Sequence, residues 1–455
     1  MTSPTAKSTG HKSRSILKQL QAFESRNVTF IERDGSWPIV WESAQGVHVR
    51  DADGKRYLDL TGAFGVAAAG HANPRVIRAG QRQMARLLHA MGDVHPHALK
   101  AQLARELSRL TFGRWSSRSG SRASAKTIFC NSGFEAVEAA LKTALLATGK
   151  AGIIAFQGAY HGLGYGALNA THREHFRSPF RFQLRGFGRF APFPEQKQRG
   201  NAANSLAKIE AQLRGILKEG NTGAILVEPI QTRGGVNVPP PEFLPLLRQL
   251  CDQSGALLIL DEIYTGFGRT GAWFACEHAQ VSPDIICLGK ALTGGFPLSA
   301  CVGRAELMDA AWPPSRGEAI HTSTFLGHPV GCAMALAQLQ EIKSKHLVRR
   351  SATVGKKLLE WLSDLDPGRS NLMLNARGQG LLAGLELRLP NGQPATKEAL
   401  RIIKTLLHRG FILLPEGEHS NVLSFTPPLT ISEAQLRSTL EALTAVLHSR
   451  PGGLR

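Results

Sequence analysis

The sequence predicts an α/β protein: a mostly parallel sheet with helices on both faces, joined to a smaller α+β part. Three observations predict it. From about residue 75, short apolar runs alternate with helical patterns. The runs are apolar throughout, as in strands covered on both faces. Near residue 330 the texture changes to long helical patterns with separate strand-like runs between them. With 455 residues the chain exceeds the usual single domain and can bury a large core.

The elements follow in order. Residues 1–27 are basic, with Lys7, Lys12, Arg14 and Lys18 before the first acid, Glu24. They read as a disordered tail, although organellar targeting segments share that composition. "GVHVRDADGKRYLDLTG" (46–62) reads as a hairpin turning at residues 51–54. Residues 28–74 are assigned to the first part of the small domain, 75–329 to the large domain and 330–455 to the rest of the small domain. "KTIFC" (126–130), "GIIAF" (152–156), "GAILV" (223–227), "ALLIL" (256–260) and "DIICL" (284–288) are the strands of the large domain. Amphipathic stretches such as 135–148 and 242–253 lie between some of them. Beyond them come a long helical pattern (330–365), "GLLAGLELRL" (380–389), a helix (396–409), "FILLP", "VLSFTPP" and a final helix (432–448).

Composition narrows the function. With 42% hydrophobic residues and 47 glycines the chain is that of a soluble globular protein. It has no apolar run long enough to span a bilayer and no secretory signal. Cys130, Cys251, Cys276, Cys287, Cys301 and Cys332 form no CxxC pair, and several lie in apolar runs. They read as reduced, buried thiols of a cytoplasmic protein, with no metal site. The net charge of +19 raises nucleic acid as a partner. The excess is scattered, however, over the tail and two arginine-rich stretches (113–126 and 176–190), with no recognisable nucleic-acid-binding motif. Neither a specific nucleic-acid partner nor a membrane is expected.

The strand ends carry the chemistry. In open α/β sheets ligands gather past the carboxyl ends of the strands. Here these ends run into Asn131-Ser132-Gly133-Phe134, "QGAYHG", Glu228-Pro229-Ile230-Gln231, Asp261-Glu262 and Lys290. A lysine past an apolar run is ordinarily a solvated strand end. To act as an amine nucleophile it must lose its proton, from an ordinary pKa of roughly 10.4. Condensation with an aldehyde cofactor achieves this. A carboxylate at Asp261, on a buried strand end, is costly unless paired, and a protonated pyridine nitrogen is a suitable partner. "NSGFEAVEAALKTAL" (131–145) is a turn feeding a helix, capped by Asn131 or Ser132. The free N–H groups at its start suit a phosphate, with Gly133 permitting close approach. "GFGRTG" (266–271) fits the dinucleotide pattern GxGxxG. It begins five residues after Asp261 and no long helix follows, so it reads as a glycine-rich loop and a nicotinamide oxidoreductase is set aside.

"NSGFEAVEAALK", "AYHG", "VEPIQTRGG", "LLILDEIYTGFGRTG", "PDIICLGKALTGG" and "STFLGHP" stand in one order over roughly residues 30–445. Together they resemble the class III aminotransferases, pyridoxal-phosphate (PLP) enzymes of fold type I that include ornithine, acetylornithine and 4-aminobutyrate transaminases. The resemblance implies a homodimer with shared active sites and an amino group moved from an amino acid, ω-amino acid or amine to a 2-oxo acid in two half-reactions. Lys290 then carries the cofactor as a Schiff base and shuttles the proton, while Asp261 holds the pyridine nitrogen. Tyr160 and Ile263 cover the two ring faces and Gln231 meets the ring hydroxyl. Ser132, Gly133 and Phe134 bind the phosphate, and Thr324 reaches it across the dimer interface. The same fold also serves racemases and epimerases, which form the alternative reading.

Four features depart from the family pattern. Phe134 replaces a small residue, Tyr264 a glutamine, and His328 the asparagine of "GNP". The fourth is a pair: many relatives carry a glutamate where Arg233 stands and an arginine where Ser424 stands, the arginine gripping a substrate carboxylate. Arg233 is therefore the candidate carboxylate clamp, since an arginine suits a planar, bidentate contact. The competing reading is a solvated or interfacial charge.

Overall fold

The computed structural model describes residues 10–32, 35–118, 123–194 and 202–449. Its centre is a seven-stranded sheet. The order is Ala125–Cys130, Ser299–Arg304, Ile285–Leu288, Leu257–Asp261, Thr222–Val227, Gly152–Phe156 and Gly188–Ala191. Ser299–Arg304 runs antiparallel to both neighbours; the strands from Ile285–Leu288 to Gly188–Ala191 are mutually parallel. Thr222–Val227, Leu257–Asp261 and Ile285–Leu288 are buried at every residue, which explains their uninterrupted apolar runs. Helices Gly133–Thr148 and Phe243–Ser254 bury alanine- and leucine-rich faces.

All five strand expectations for this sheet are met within a residue or two. Two strands were not expected. Gly188–Ala191 is a short edge strand within an arginine-rich stretch, and Ser299–Arg304 is built from small and polar residues of weak strand preference. The pattern at 330–365 is two helices, Pro329–Ser344 and Leu347–Ser363, because His346 turns left-handed at φ 50° between them.

A second sheet joins Trp41–Gln45, His48–Asp51 and Arg56–Asp59 to Phe411–Ile412, which pairs in parallel with Arg56–Asp59. The 46–62 hairpin forms as expected. A third sheet has the order Met373–Gln379, Leu382–Arg388, Val422–Phe425, Leu414–Glu416. The glycine-rich loop at 266–271 is tied to this region by Arg269, which is fully buried and donates to the carbonyls of Leu381 and Pro427 at 3.0 and 2.5 Å. Burial pulls its pKa down to about 10. That loop leads to a short 3-10 turn, Ala275–Ala279, and not to a nucleotide-binding helix.

The tail expectation needs a correction. Residues 1–9 lie outside the described residues, but His11–Phe23 is a helix. Leu17 is buried, and the N–H groups of Lys12 and Ser13 donate to the Asp53 carboxylate at 3.0 and 3.2 Å. A carboxylate borrowed from the hairpin turn does the capping that no local residue supplies.

Candidate active site

The carboxyl ends of the parallel strands open on one cavity of about 490 Å³. Its walls include Gly133, Phe134, Tyr160, Glu228, Arg233, Asp261, Ile263, Tyr264 and Lys290. Seven of the expected site residues therefore meet in one place although they span residues 133–290.

Lys290 begins the short 3-10 turn Lys290–Leu292 with φ +41°, a conformation uncommon for a residue with a side chain. Strained backbone of this kind clusters at functional sites. Its Nζ lies 4.6 Å from the centroid of the Tyr264 ring. Burial holds the lysine pKa below its usual value, opposed by the charges of Asp261 and Glu228. The Tyr264 hydroxyl lies 3.3 Å from Thr426 Oγ1.

Asp261 and Glu262 end the same strand but do different work. Asp261 faces the cavity, accepting the Ile263 N–H at 3.1 Å through Oδ1 and meeting His161 Nδ1 at 2.8 Å through Oδ2. Glu262 turns away. It accepts the Thr265 hydroxyl and the N–H groups of Ala275 and Cys276 at 2.5, 2.9 and 2.8 Å. Burial lifts its pKa to about 6. His161, buried beside Asp261, was quoted in the "AYHG" motif but given no role. A lone histidine in a loop has no spacing signal, and its partner lies a hundred residues on.

At the start of helix Gly133–Thr148, Ser132 is the N-cap residue, but its hydroxyl makes no cap bond and is buried without a partner among the described residues. The Asn131 N–H and side-chain amide are held by Glu135 at 2.7 and 3.2 Å. A Cβ on Gly133 would come within 3.1 Å of the Ile263 side chain. Glu228 is buried and accepts the Tyr160 N–H at 2.9 Å and the Thr232 N–H at 3.3 Å. Burial raises its pKa to about 7.

Three expected contacts lie outside the cavity wall. Gln231 is buried at its border, donating to the Gln157 carbonyl at 2.8 Å and accepting from Asn237 at 3.3 Å. Thr324 is exposed, next to Ser323, whose hydroxyl accepts from Asn131 at 3.4 Å. Ser132 does not line the cavity, although Gly133, the next residue, does. Among the departures, His328 caps helix Pro329–Ser344, its Nδ1 accepting the Val330 N–H at 3.3 Å, so it does an asparagine's job. Ser424 is buried in the third sheet opposite Gly384 and Leu414, without a partner for its hydroxyl among the described residues. Arg233, partly exposed, lines the cavity and pairs with Glu416.

Comparison with known proteins gives the family. The model for "Aminotransferase class-III" matches residues 30–447. The putrescine aminotransferase of Pectobacterium atrosepticum is 38% identical over 91% of this chain and 83% of its own length. The acetylornithine aminotransferase of Methanosarcina mazei is 36% identical over 90% and 92%. The 5-aminovalerate aminotransferase of Pseudomonas aeruginosa is 36% identical over 94% and 97%. Among solved structures, an amine transaminase from an uncultivated Pseudomonas species in its PLP-bound form superposes with a TM-score of 0.83 at 28% identity, covering 93% of this chain and 98% of that one.

The chain belongs to the class III aminotransferases. It is a PLP-dependent aminotransferase of fold type I, and the racemase or epimerase alternative finds no support among these relatives. The residues present fit the cofactor. A helix start and a glycine whose added Cβ would press on Ile263 stand at one side of the cavity, and the Ser132 hydroxyl, unpartnered among the described residues, is next in the chain. A buried carboxylate and a lysine held below its usual pKa share the same walls.

Proposed function

We propose that this aminotransferase works through Lys290 and Asp261, with Arg233 selecting substrates that carry a carboxylate. One observation carries the reading: Lys290 and Asp261, at the ends of adjacent strands, face one cavity that the start of helix Gly133–Thr148 also enters.

Bound pyridoxal phosphate supplies an aldehyde that captures amines and a ring that accepts the electron pair left when a proton departs. The rest falls to the chain. The Lys290 amine, its charge disfavoured by burial, is the nucleophile that tethers the cofactor. Once displaced by substrate, Nζ would be the base that takes the proton from the substrate carbon and the acid that gives it back. Asp261 is the anion that keeps the pyridine nitrogen protonated, and His161 holds Asp261 in place. Tyr160 and Ile263 would clasp the ring. Ser132 Oγ and the N–H groups of Gly133 and Phe134 would take the phosphate. Gln231, buried at the border of the cavity, would meet the ring hydroxyl.

The protein works as a homodimer in this reading, with Thr324 of each copy serving the other's phosphate site. The exposed apolar side chains of Ile320 and Phe325, close to Thr324 in the chain, are surface that a second copy would cover. The compartment is the cytoplasm, in keeping with six free, buried cysteines.

The experiment is a visible absorbance titration of the PLP-loaded protein. An amine donor should bleach the cofactor band, and 2-oxoglutarate or pyruvate should restore it. The same response in a Lys290→Ala variant would overturn the assignment.

A further inference from the structure

Arg233 is held from behind. Its Nη1 lies 3.2 and 3.1 Å from the two carboxylate oxygens of Glu416. The backbones meet at the same point, with the Gly417 N–H donating to the Arg233 carbonyl at 3.2 Å. Glu416 ends strand Leu414–Glu416, opposite Val422. Its side chain is 2% exposed against 29% for Arg233, so the carboxylate sits behind the guanidinium and only the arginine lines the cavity. Arg233 Cζ also lies 5.6 Å from the centroid of the Tyr160 ring.

A buried ion pair is weak evidence for stability, because desolvation offsets its attraction. Its worth here is geometric. A guanidinium offers five donors in a rigid fork. Glu416 engages Nη1 and fixes the plane, and the ring of Tyr160 limits where that plane lies. Where many relatives carry a glutamate and an arginine, this chain has Arg233 and the neutral Ser424. The carboxylate has also moved to the neighbouring strand, since Glu416 pairs with Val422, two residues before Ser424.

We propose that Glu416 is the positioning residue of the carboxylate clamp: it keeps Arg233 at the cavity wall through both half-reactions, so donor and acceptor present their carboxylates to the same guanidinium. The favoured pairs are therefore those in which the carboxylate of donor and 2-oxo acid stands equally far from the reacting carbon. Amines without a carboxylate forgo the contact. This inference rests on Arg233 being the clamp.

The test uses PLP-loaded enzyme and glutarate, a dicarboxylate with no amine, whose binding is followed by calorimetry. Arg233→Ala, Glu416→Gln, Glu416→Asp and the double variant Arg233→Ala/Glu416→Gln are compared. Glu416→Gln keeps the shape of the side chain, and an unchanged cofactor spectrum and thermal midpoint establish that it is folded. Glutarate affinity should fall roughly tenfold or more in Glu416→Gln, the scale of one charged hydrogen bond. It should recover in part in Glu416→Asp. Adding Glu416→Gln to Arg233→Ala should cost nothing further, because the two act as one unit. In steady state the Glu416→Gln loss should lie in KM for the 2-oxo acid more than in kcat. Selective loss in Arg233→Ala with Glu416→Gln within twofold of wild type would overturn the role of Glu416 and leave the clamp standing. No loss in either variant, or no glutarate binding by the wild type, would overturn the clamp itself.

Discussion

His161 Nδ1 and Asp261 Oδ2 stand 2.8 Å apart in the cavity wall, both buried, and the other histidine nitrogen has no partner among the described residues. The carboxylate proposed to face the cofactor ring is thereby fixed by two contacts, His161 on one oxygen and the Ile263 N–H on the other. His161→Phe removes the first while filling the space. The expected loss in kcat is roughly ten- to a hundredfold, the scale of a hydrogen bond to a charged group. Cofactor release should quicken as well. Steady-state kinetics beside a cofactor titration checks both; wild-type values for the two would show that Asp261 needs no such support.

Gly133 has its own prediction. A Cβ there would press on Ile263 at 3.1 Å, at the start of the helix where phosphate is expected. Gly133→Val should weaken cofactor binding more than it lowers kcat at saturating cofactor. Dialysis followed by reconstitution at graded PLP concentrations separates the two effects. Unchanged PLP affinity would place the phosphate elsewhere.

Glu228 gives a pH signature. Burial lifts its pKa to about 7 from the ordinary carboxylate value near 4.5. The folded protein therefore holds a proton over that window that the unfolded chain releases. Stability from this group is complete below about pH 4.5 and falls as pH rises to about 7, with a slope approaching ~1.4 kcal/mol per pH unit, and is level above that. Glu228→Gln should flatten this slope in cofactor-free protein. Urea denaturation at pH 5, 6, 7 and 8 measures it; parallel wild-type and variant profiles would mean that another group titrates.

Asp53 anchors the helix His11–Phe23 through the N–H groups of Lys12 and Ser13. Asp53→Ala should release that helix at a cost of about 1 kcal/mol, as for other lost caps. Cleavage by protease within residues 11–23 should quicken, while transamination continues. A cleavage pattern identical to wild type would show that Leu17 packing alone holds the segment.

Much of this molecule can be read in its sequence, for a physical reason. Central parallel strands are buried on both faces, so Leu257–Asp261 and Ile285–Leu288 appear as unbroken apolar runs. A charge that interrupts the end of such a run is conspicuous, and Asp261 and Lys290 are of that kind. What escaped depends on contacts between distant residues. Glu416 looks like an ordinary turn acid in "LPEGEH", and only the fold brings it to Arg233, 183 positions away. His161 has the same history with Asp261. The first helix was hidden because its N-terminal partner, Asp53, lies in another element. Gly188–Ala191 was hidden because an edge strand needs no continuous apolar run.

The most direct measurement is borohydride reduction of the PLP-loaded enzyme followed by peptide mass mapping. Reduction freezes the cofactor onto whichever amine holds it. The account predicts a single phosphopyridoxyl group, on the peptide containing Lys290, and its disappearance in Lys290→Ala. A label on another lysine, or none in wild-type protein that retains its visible band, would contradict it.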